Sequence, residues 1–344
     1  MYIFKDHLEE EDIQSLDKLY GEAEMVSVFQ HPLWPDPLQT NQQKSFFLQK
    51  ENEEVVLGTK IIESHLTKAP FVKYAHVRGG FICRNMALLV PAIKQIHGHY
   101  VGRKFAKLTV ELFCDLQQAE FVERSLLKEG FRFDHDFATG ARATLLLNLA
   151  EDMETIHNRF ANVLKKNIAT AQKKGAEIRH VTSPEEFEKF IAVFSKMEEV
   201  RGVKLATDGY LKGLFAFIQS TGQGYFLACY DKAETLIGGI LLFKEGRQVE
   251  YIVGASHPDF KSIPQLHLAL FEGIQLAKRE GMQFFDFGGF GFNEQEGSQI
   301  YGINQFKMQF GGHLAFYPKN MIFTIDRRNA FIGDAFLKMK SLVG

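Results

Sequence analysis

The sequence has 344 residues, of which 45% are hydrophobic and 24% charged, a composition typical of a globular protein with about two domains. The formal net charge of −2 excludes a chain that binds nucleic acid through its overall charge, so any contact with RNA needs a local basic patch. No window approaches the roughly 18 apolar residues of a membrane-spanning helix, and residues 1–16 lack the pattern of a signal peptide, so we expect a cytoplasmic protein.

Cysteine and histidine content argues against metal chemistry. Cys83, Cys114 and Cys229 are scattered in apolar surroundings without the spacing of metal ligands, so we expect buried, reduced thiols. The histidines are dispersed as well, and the chain has no Gly-x-Ser-x-Gly, His-Glu-x-x-His or phosphate-binding Gly-x-x-x-x-Gly-Lys motif. We expect neither a metal nor a bound cofactor.

Taken in chain order, the first half predicts a helix that is followed by three strands and then by alternating helices and strands. The predicted ranges are helix 9–20, strands 44–48, 54–63 and 71–77, helix 87–100, strand 106–112, helix 117–129 and strand 142–147. Gly130 directly follows the last of these helices, where a glycine commonly ends a helix.

The second half predicts a helix and a strand, then two helices, three strands, a helix and a strand. The predicted ranges are helix 151–175, strand 176–181, helices 183–199 and 208–219, strands 224–230, 235–243 and 248–255, helix 265–280 and strand 283–287. This order is typical of a GNAT-type acyltransferase domain, and the first half fits a degraded version of it. We therefore predict an α/β protein with two GNAT-like domains in tandem, 1–149 and 150–344.

The most informative stretch lies near the C-terminus. Phe-Phe-Asp-Phe-Gly-Gly at 284–289 is followed by Gly-Ile-Asn-Gln-Phe-Lys-Met-Gln-Phe-Gly-Gly at 302–312. Within it, Lys307 lies in an otherwise apolar, glycine-flanked segment, so it either extends to the surface or holds a positive charge inside a cleft. An ammonium group in a cleft suits a reaction that develops negative charge, such as attack on an ester or thioester carbonyl.

These segments resemble the Fem (FemABX) family of aminoacyl-tRNA-dependent transferases, which add amino acids to the peptide of peptidoglycan precursors. Asp-Phe-Gly-Gly followed by Gly-Ile-x-x-Phe-Lys-x-x-Phe-Gly-Gly carries the resemblance, and the basic segment 164–175 agrees with it. Weaker similarities lie at 29–34 and 74–80, so the matching segments span nearly the whole chain. Because 151–175 leads straight into a strand, the coiled-coil arm of some Fem relatives is expected to be absent.

The resemblance implies that Lys307 is catalytic and stabilises the oxyanion, with Phe306 packed beside it. It also implies a substrate contact for Tyr251, for which a half-buried strand tyrosine is the alternative. Asp286, at a strand-to-loop exit, either binds substrate or fixes a turn before Gly288. Glu250 is interpreted as an exposed strand carboxylate, with a general base as the alternative.

Three further candidates either depart from the family pattern or are equally consistent with an ordinary surface residue. Glu111 stands near a position where relatives often have a catalytic Asp-Pro, but no proline follows it here. Lys166 replaces an arginine of the basic helix and is a candidate phosphate contact, as is Arg78 before Gly79. A solvated surface is the alternative for both of these basic residues.

The function implied is transfer of an amino acid from aminoacyl-tRNA to an amine of a peptidoglycan precursor peptide, with peripheral membrane contact if that precursor is lipid-linked. The first alternative is an acyl-CoA-dependent N-acyltransferase of GNAT type. Against it, the segment 257–265 has none of the glycines with which such enzymes usually bind pyrophosphate. The second alternative is a non-catalytic member of the family.

Overall fold

The computed structural model describes residues 1–23, 25–134, 143–292 and 295–343. Across these residues the helices are α1 Glu10–Glu22, α2 Leu89–Gly102, α3 Leu116–Lys128, α4 Met153–Asn158, α5 Asn162–Lys173, α6 Pro184–Arg201, α7 Asp208–Thr221, α8 Gln265–Arg279, α9 Gln299–Met308 and α10 Arg327–Val343. The strands are β1 Tyr2–Lys5, β2 Gln42–Glu51, β3 Glu54–Leu66, β4 Ala69–Val77, β5 Ile82–Cys83, β6 Lys107–Val110, β7 Arg132–Phe133, β8 Ala143–Asn148, β9 Glu177–His180, β10 Gly224–Tyr230, β11 Leu236–Glu245, β12 Gln248–Ser256, β13 Phe284–Gly289, β14 His313–Phe316 and β15 Met321–Thr324.

Helix α6 begins and ends at residues that commonly start and stop helices. Ser183 caps its N-terminus by accepting a hydrogen bond from the Glu186 amide, and Pro184 occupies the first turn. The helix ends at Gly202 in the left-handed conformation. By contrast, the single helix predicted over 151–175 is two helices, α4 and α5, because the chain turns at Arg159 and resumes at Asn162.

Each of two compact units contains one sheet. The first unit comprises Met1–Gly140 and Phe316–Gly344, and its sheet has the order β1-β2-β3-β4-β6-β15-β7, with β5 beside β3. The second unit is Ala141–Ala315, with the order β14-β8-β13-β12-β11-β10-β9. In both sheets an antiparallel set is followed by one parallel neighbour, β6 beside β4 and β13 beside β12.

The division between the units differs from the predicted boundary at 149/150. The physical reason is strand pairing: β8 lies antiparallel to β13 in the second sheet, although it precedes that boundary. Likewise, β15 pairs with β6 and β7 of the first sheet, although it lies near the end of the chain. Arg142, which opened the predicted strand 142–147, lies outside the described residues.

Aromatic side chains are part of the core of both units. In the second unit, Phe187 and Phe215 stack with ring centroids 4.3 Å apart, and Phe226 meets Phe187 edge-on. The cysteines are free: Cys114 and Cys229 are buried as expected, whereas Cys83 is only half-buried. In the described part of the chain, no helix has the length and apolar character needed to cross a membrane.

Candidate functional site

The end of β13 forms the floor of the candidate site. Asp286 is 1% exposed, and it lies opposite Glu250 on the parallel strand β12. Its Oδ1 accepts a hydrogen bond from the Gly288 amide at 2.7 Å and another from the hydroxyl of Thr144. The side-chain amide of Gln248 donates to Oδ2 at 3.3 Å. Asp286 therefore fixes the turn that begins at Gly288, and a direct contact between Asp286 and a substrate remains a prediction.

Gly288 brings the turn close to the neighbouring strand. Its φ of +75° lies in the left-handed region, and a Cβ added there would lie 3.2 Å from the carbonyl oxygen of Tyr251. A glycine is suited to this position because it adopts positive φ without strain and leaves the backbone room to approach. The Gly288 and Gly289 carbonyls are thereby presented on one side of the turn.

Lys307 is anchored by those carbonyls. It lies in the last turn of α9 and is 7% exposed. Its Nζ donates to the Gly288 oxygen at 3.1 Å and to the Gly289 oxygen at 2.7 Å. An ammonium group has three N–H donors, so among the described residues one donor of Lys307 remains for a ligand. Burial lowers the pKa of Lys307, and the carboxylates of Asp286 and Glu250 partly oppose that shift.

Phe306 and Phe310 attach α9 to the second core. Phe310 is fully buried, with its ring centroid 4.9 Å from that of Phe287 on β13. Phe306 is half-buried, 5.8 Å from Phe310 and 5.0 Å from His267 between ring centroids. These ring contacts fix the orientation of the helix that carries Lys307, and the packing of Phe306 beside Lys307 itself stays a prediction.

Two further acidic side chains surround the same turn. Glu250 is half-buried rather than exposed, so its interpretation as an exposed strand carboxylate was wrong. Its carboxyl shares a hydrogen bond with Glu245, which is itself 2% exposed and accepts from Gln248 at 3.0 Å. Burial, together with the charges of Glu245 and Asp286, raises the pKa of Glu250 well above the usual range, and Lys307 only partly offsets this.

Tyr251 lies where β12 changes its pairing. Leu241 and Leu242 on β11 face Val253 and Tyr251, so one residue of β12, Ile252, bulges between them. The parallel pairing of β12 with β13 ends one residue before Tyr251. Burial raises the pKa of Tyr251 to about 12, although Arg201 opposes the shift. Tyr251 is therefore a neutral, half-buried residue whose phenol lies against Gly254 and whose backbone oxygen lies next to Gly288, and its contact with a substrate stays a prediction.

Helix α5 joins the site through its asparagine rather than its lysines. Lys166 is exposed, whereas Asn167 hydrogen-bonds the His267 Nε2 at 3.2 Å. Burial lowers the pKa of His267 to about 4, so the imidazole is neutral at physiological pH and its ring faces Phe306. Sequence reasoning missed this link, because Asn167 and His267 lie on different helices and only Asn167 belongs to a segment that the sequence singled out.

The first unit holds the other two candidates, Glu111 and Arg78. Glu111 directly follows β6, and its carboxylate hydrogen-bonds His76 at 2.9 Å and the Gly79 amide at 2.7 Å. Burial raises its pKa, but these hydrogen bonds and the charges of His76 and Arg78 outweigh burial and lower it. Arg78 is exposed, with its guanidinium carbon 4.3 Å from the ring centroid of Phe29.

The structure therefore collects the predicted residues into two groups. Lys307, Asp286 and the backbone oxygen of Tyr251 lie at one turn of the second unit. Phe306 precedes Lys307 on α9, and Lys166 lies on α5, which contacts α8 through Asn167. Glu111 and Arg78 come together in the first unit. Among the described residues no group of three or more histidine, cysteine or carboxylate side chains is placed to hold a metal ion.

Parts of the sequence match known proteins. The model of the Acetyltransferase (GNAT) domain matches residues 158–308. Over 89 residues, 26% of this chain and 21% of the relative, the chain is 32% identical to the lipid II:glycine glycyltransferase of Staphylococcus haemolyticus (strain JCSC1435). It is 32% identical over 79 residues to the protein of that name from Staphylococcus epidermidis (strain ATCC 12228 / FDA PCI 1200), covering 23% of this chain and 19% of the relative. The chain thus spans about a fifth of the length of these relatives.

Solved structures show the fold over nearly the whole chain. The crystal structure of FemX superposes with a TM-score of 0.81 at 14% identity, covering 95% of this chain and 98% of FemX. The structure of L-PGS from Bacillus licheniformis gives a TM-score of 0.63 at 11% identity and covers 98% of each chain. The resemblance to the Fem family and the α/β fold with GNAT-like domains are both confirmed.

Proposed function

We propose that this protein is an acyltransferase that moves an amino acid from aminoacyl-tRNA to an amine of a peptidoglycan precursor peptide. The observation that supports this proposal most strongly is the Lys307 ammonium, which is buried at the end of α9 and held by the Gly288 and Gly289 carbonyls. The names of the sequence relatives, lipid II:glycine glycyltransferases, support the acceptor and the type of reaction.

The chemistry needs an electrostatic partner for the tetrahedral intermediate. When an amine attacks the carbonyl carbon of an ester, the carbonyl oxygen becomes negative. Lys307 already spends two N–H donors on backbone carbonyls, which fix the ammonium before substrate arrives. The third donor then meets the oxyanion without a reorganisation cost, so the interaction strengthens in the transition state rather than in the ground state.

A nucleotide-linked donor or precursor also brings phosphates, for which exposed basic side chains are suited. Lys166 on α5 and Arg78 in the first unit are both exposed and both stay candidates for this role. Glu111, the second catalytic candidate, is held as a carboxylate by its hydrogen bonds. A lipid-linked precursor would bring the protein to a membrane surface as a peripheral enzyme.

A second candidate is an acyl-CoA-dependent N-acyltransferase, favoured by the GNAT domain model. The loop between β12 and α8 argues against this candidate, because the side chain of Gln265 hydrogen-bonds the backbone of that loop. The Gln265 Oε1 accepts from the His257 amide at 2.9 Å, and its Nε2 donates to the Phe260 oxygen at 3.0 Å. The His257 amide is therefore used within the loop, and the segment 257–265 has none of the glycines with which a pyrophosphate is usually bound.

The donor decides between the two candidates. The protein is incubated with a pool of charged tRNAs or with acetyl-CoA, each with and without peptidoglycan precursor, and release of the acyl group is followed. We expect precursor-dependent discharge of one aminoacyl-tRNA, lost in Lys307→Ala and retained in Lys232→Ala, which removes an exposed lysine of the same unit. Release of CoA instead would establish the second candidate, and silence from both donors would overturn the proposal.

A further inference from the structure

The interior of the site holds more carboxyl groups than cations. Glu245 from β11, Glu250 from β12 and Asp286 from β13 act on one another, and Lys307 is the cation that acts on Glu250. Gln248 links two of the carboxyls by donating to Glu245 at 3.0 Å and to Asp286 at 3.3 Å. Three carboxylates around one ammonium repel one another, so at least one of them retains a proton.

Glu250 is the carboxyl that keeps the proton. Asp286 accepts hydrogen bonds from the Gly288 amide and the Thr144 hydroxyl, and such donors stabilise an ionised carboxylate. Glu245 accepts from Gln248. Glu250 instead shares its hydrogen bond with another carboxyl, Glu245, and two facing carboxyl oxygens need a proton between them.

Glu250 and Lys307 also border the same point in space. A Cβ built at Gly288 would lie 3.6 Å from Glu250 Oε1 and 3.8 Å from Lys307 Nζ. The Glu250 carboxyl and the Lys307 ammonium therefore lie next to the same glycine of the turn, the carboxyl on β12 and the ammonium on α9. Glu250 is half-buried as a residue, whereas Asp286 is fully buried.

We propose that Glu250 is the general acid of this site, the group that protonates the alcohol leaving from an oxygen-ester donor. This inference rests on the proposed function and adds a catalytic residue to it. A thiolate is a good leaving group, since a thiol has a pKa of about 8.5. An alkoxide is far more basic and leaves readily only if it is protonated as the bond breaks. A neutral carboxyl beside the oxyanion lysine supplies that proton.

The step balances without a further reactant. The neutral amine nitrogen forms a bond to the ester carbon, which leaves a positive charge on nitrogen and a negative charge on the former carbonyl oxygen, next to Lys307. As the carbon–oxygen bond to the leaving group breaks, the Glu250 carboxyl gives its proton to that oxygen. The Glu250 carboxylate then takes the extra proton from nitrogen, so the products are an amide, an alcohol and the original carboxyl.

The test compares two donors that carry the same amino acid, the one identified by the charged-tRNA pool. One donor is the aminoacyl-tRNA and the other is the aminoacyl thioester of a small thiol, N-acetylcysteamine, which needs no pyrophosphate site; both are used at saturating precursor. We expect Glu250→Gln to slow transfer from the oxygen ester by about 100-fold, at the lower end of general acid contributions, and transfer from the thioester by no more than about threefold. Glu199→Gln, the same change at an exposed position of α6, serves as the control.

Each result has a distinct meaning. An equal loss with both donors would show that Glu250 supports the structure only, and an unchanged rate with both would show that it takes no part; either outcome overturns the inference. Failure of the proposed function is separate, because the unsubstituted protein would then discharge no charged tRNA, and this inference would fall with it. A folded Glu250→Gln protein is verified by its unfolding midpoint, since the amide keeps the shape of the carboxyl.

Discussion

At the residue scale, the site is organised by a few buried polar groups that hold one another. Asp286 fixes the Gly288 amide, and the carbonyls of Gly288 and Gly289 fix the ammonium of Lys307. The lysine is thus positioned through two glycines rather than by a direct hydrogen bond to a side chain. Buried networks of this kind are sensitive to the loss of one member, because the remaining partners stay desolvated and unsatisfied.

The charge of Asp286 should set the alkaline limit of activity. The carboxylate raises the pKa of Lys307 against the lowering effect of burial. In Asp286→Asn that support is lost, so the ammonium loses its proton at a lower pH. Because only the protonated lysine stabilises the oxyanion, we expect the alkaline limb of the kcat profile to move to lower pH. Asp259→Asn, which changes an exposed carboxylate paired with Lys196 at 2.6 Å, should leave the limb in place. A shift of the limb in Asp259→Asn without one in Asp286→Asn would contradict this role of Asp286.

The residue scale also shows what sequence could and could not indicate. Lys307 was found because a lysine within an apolar, glycine-rich segment has few ordinary explanations. Glu250 was taken for an exposed residue, since its burial depends on Glu245 and Asp286, which reach it from neighbouring strands. Asn167 and His267 were missed for the same reason: their contact joins α5 to α8, and no local pattern encodes it.

At the element scale, the turn between β13 and α9 decides where the lysine can reach. Helix α9 begins at the Ser298 cap and is held at its far end by Phe306 and Phe310 against the second core. The turn is held at its near end by Asp286. Because both ends are anchored, the ammonium and the carbonyls that bind it keep their geometry without a ligand.

Replacement of the first glycine of this turn should weaken both stability and transfer. In Gly288→Ala the alanine must adopt a positive φ, and its Cβ lies 3.2 Å from the Tyr251 oxygen, so the turn must shift. We expect a loss of about 1–2 kcal/mol in the free energy of unfolding, measured by urea denaturation. Gly209→Ala in α7 is the matched control, since its Cβ meets nothing within 4 Å and should stabilise the helix by up to about 1 kcal/mol. Equal effects at the two glycines would contradict this view of the turn.

At the scale of the whole molecule, each sheet is completed by a strand from an unexpected part of the chain. The order of elements was enough to predict the α/β fold with GNAT-like domains. Sequence did not indicate that β8 would join β13, or that β15 would join β6, because strand pairing at long range leaves no local signature. The division at 149/150 followed the predicted elements, whereas the compact units follow the pairing.

This pairing predicts which fragment of the chain folds. A fragment of residues 141–315 keeps β8 beside β13 and should unfold cooperatively, as followed by circular dichroism in urea. A fragment of residues 150–344 lacks β8 and exposes one edge of β13, so we expect it to aggregate or to unfold at lower urea concentration. Greater stability of the 150–344 fragment would mean that the units are divided as the sequence first suggested.

The central claim is that Lys307 stabilises the oxyanion of an aminoacyl transfer. Its most direct test is the single-turnover rate of discharge of the identified aminoacyl-tRNA with precursor bound at saturation, measured for the unsubstituted protein and for Lys307→Ala. For Lys307→Ala we expect a rate reduced by about 10²–10³-fold, as for the loss of one oxyanion donor, with precursor affinity retained. A rate within a few-fold of the unsubstituted protein, in a variant with the same unfolding midpoint, would contradict it.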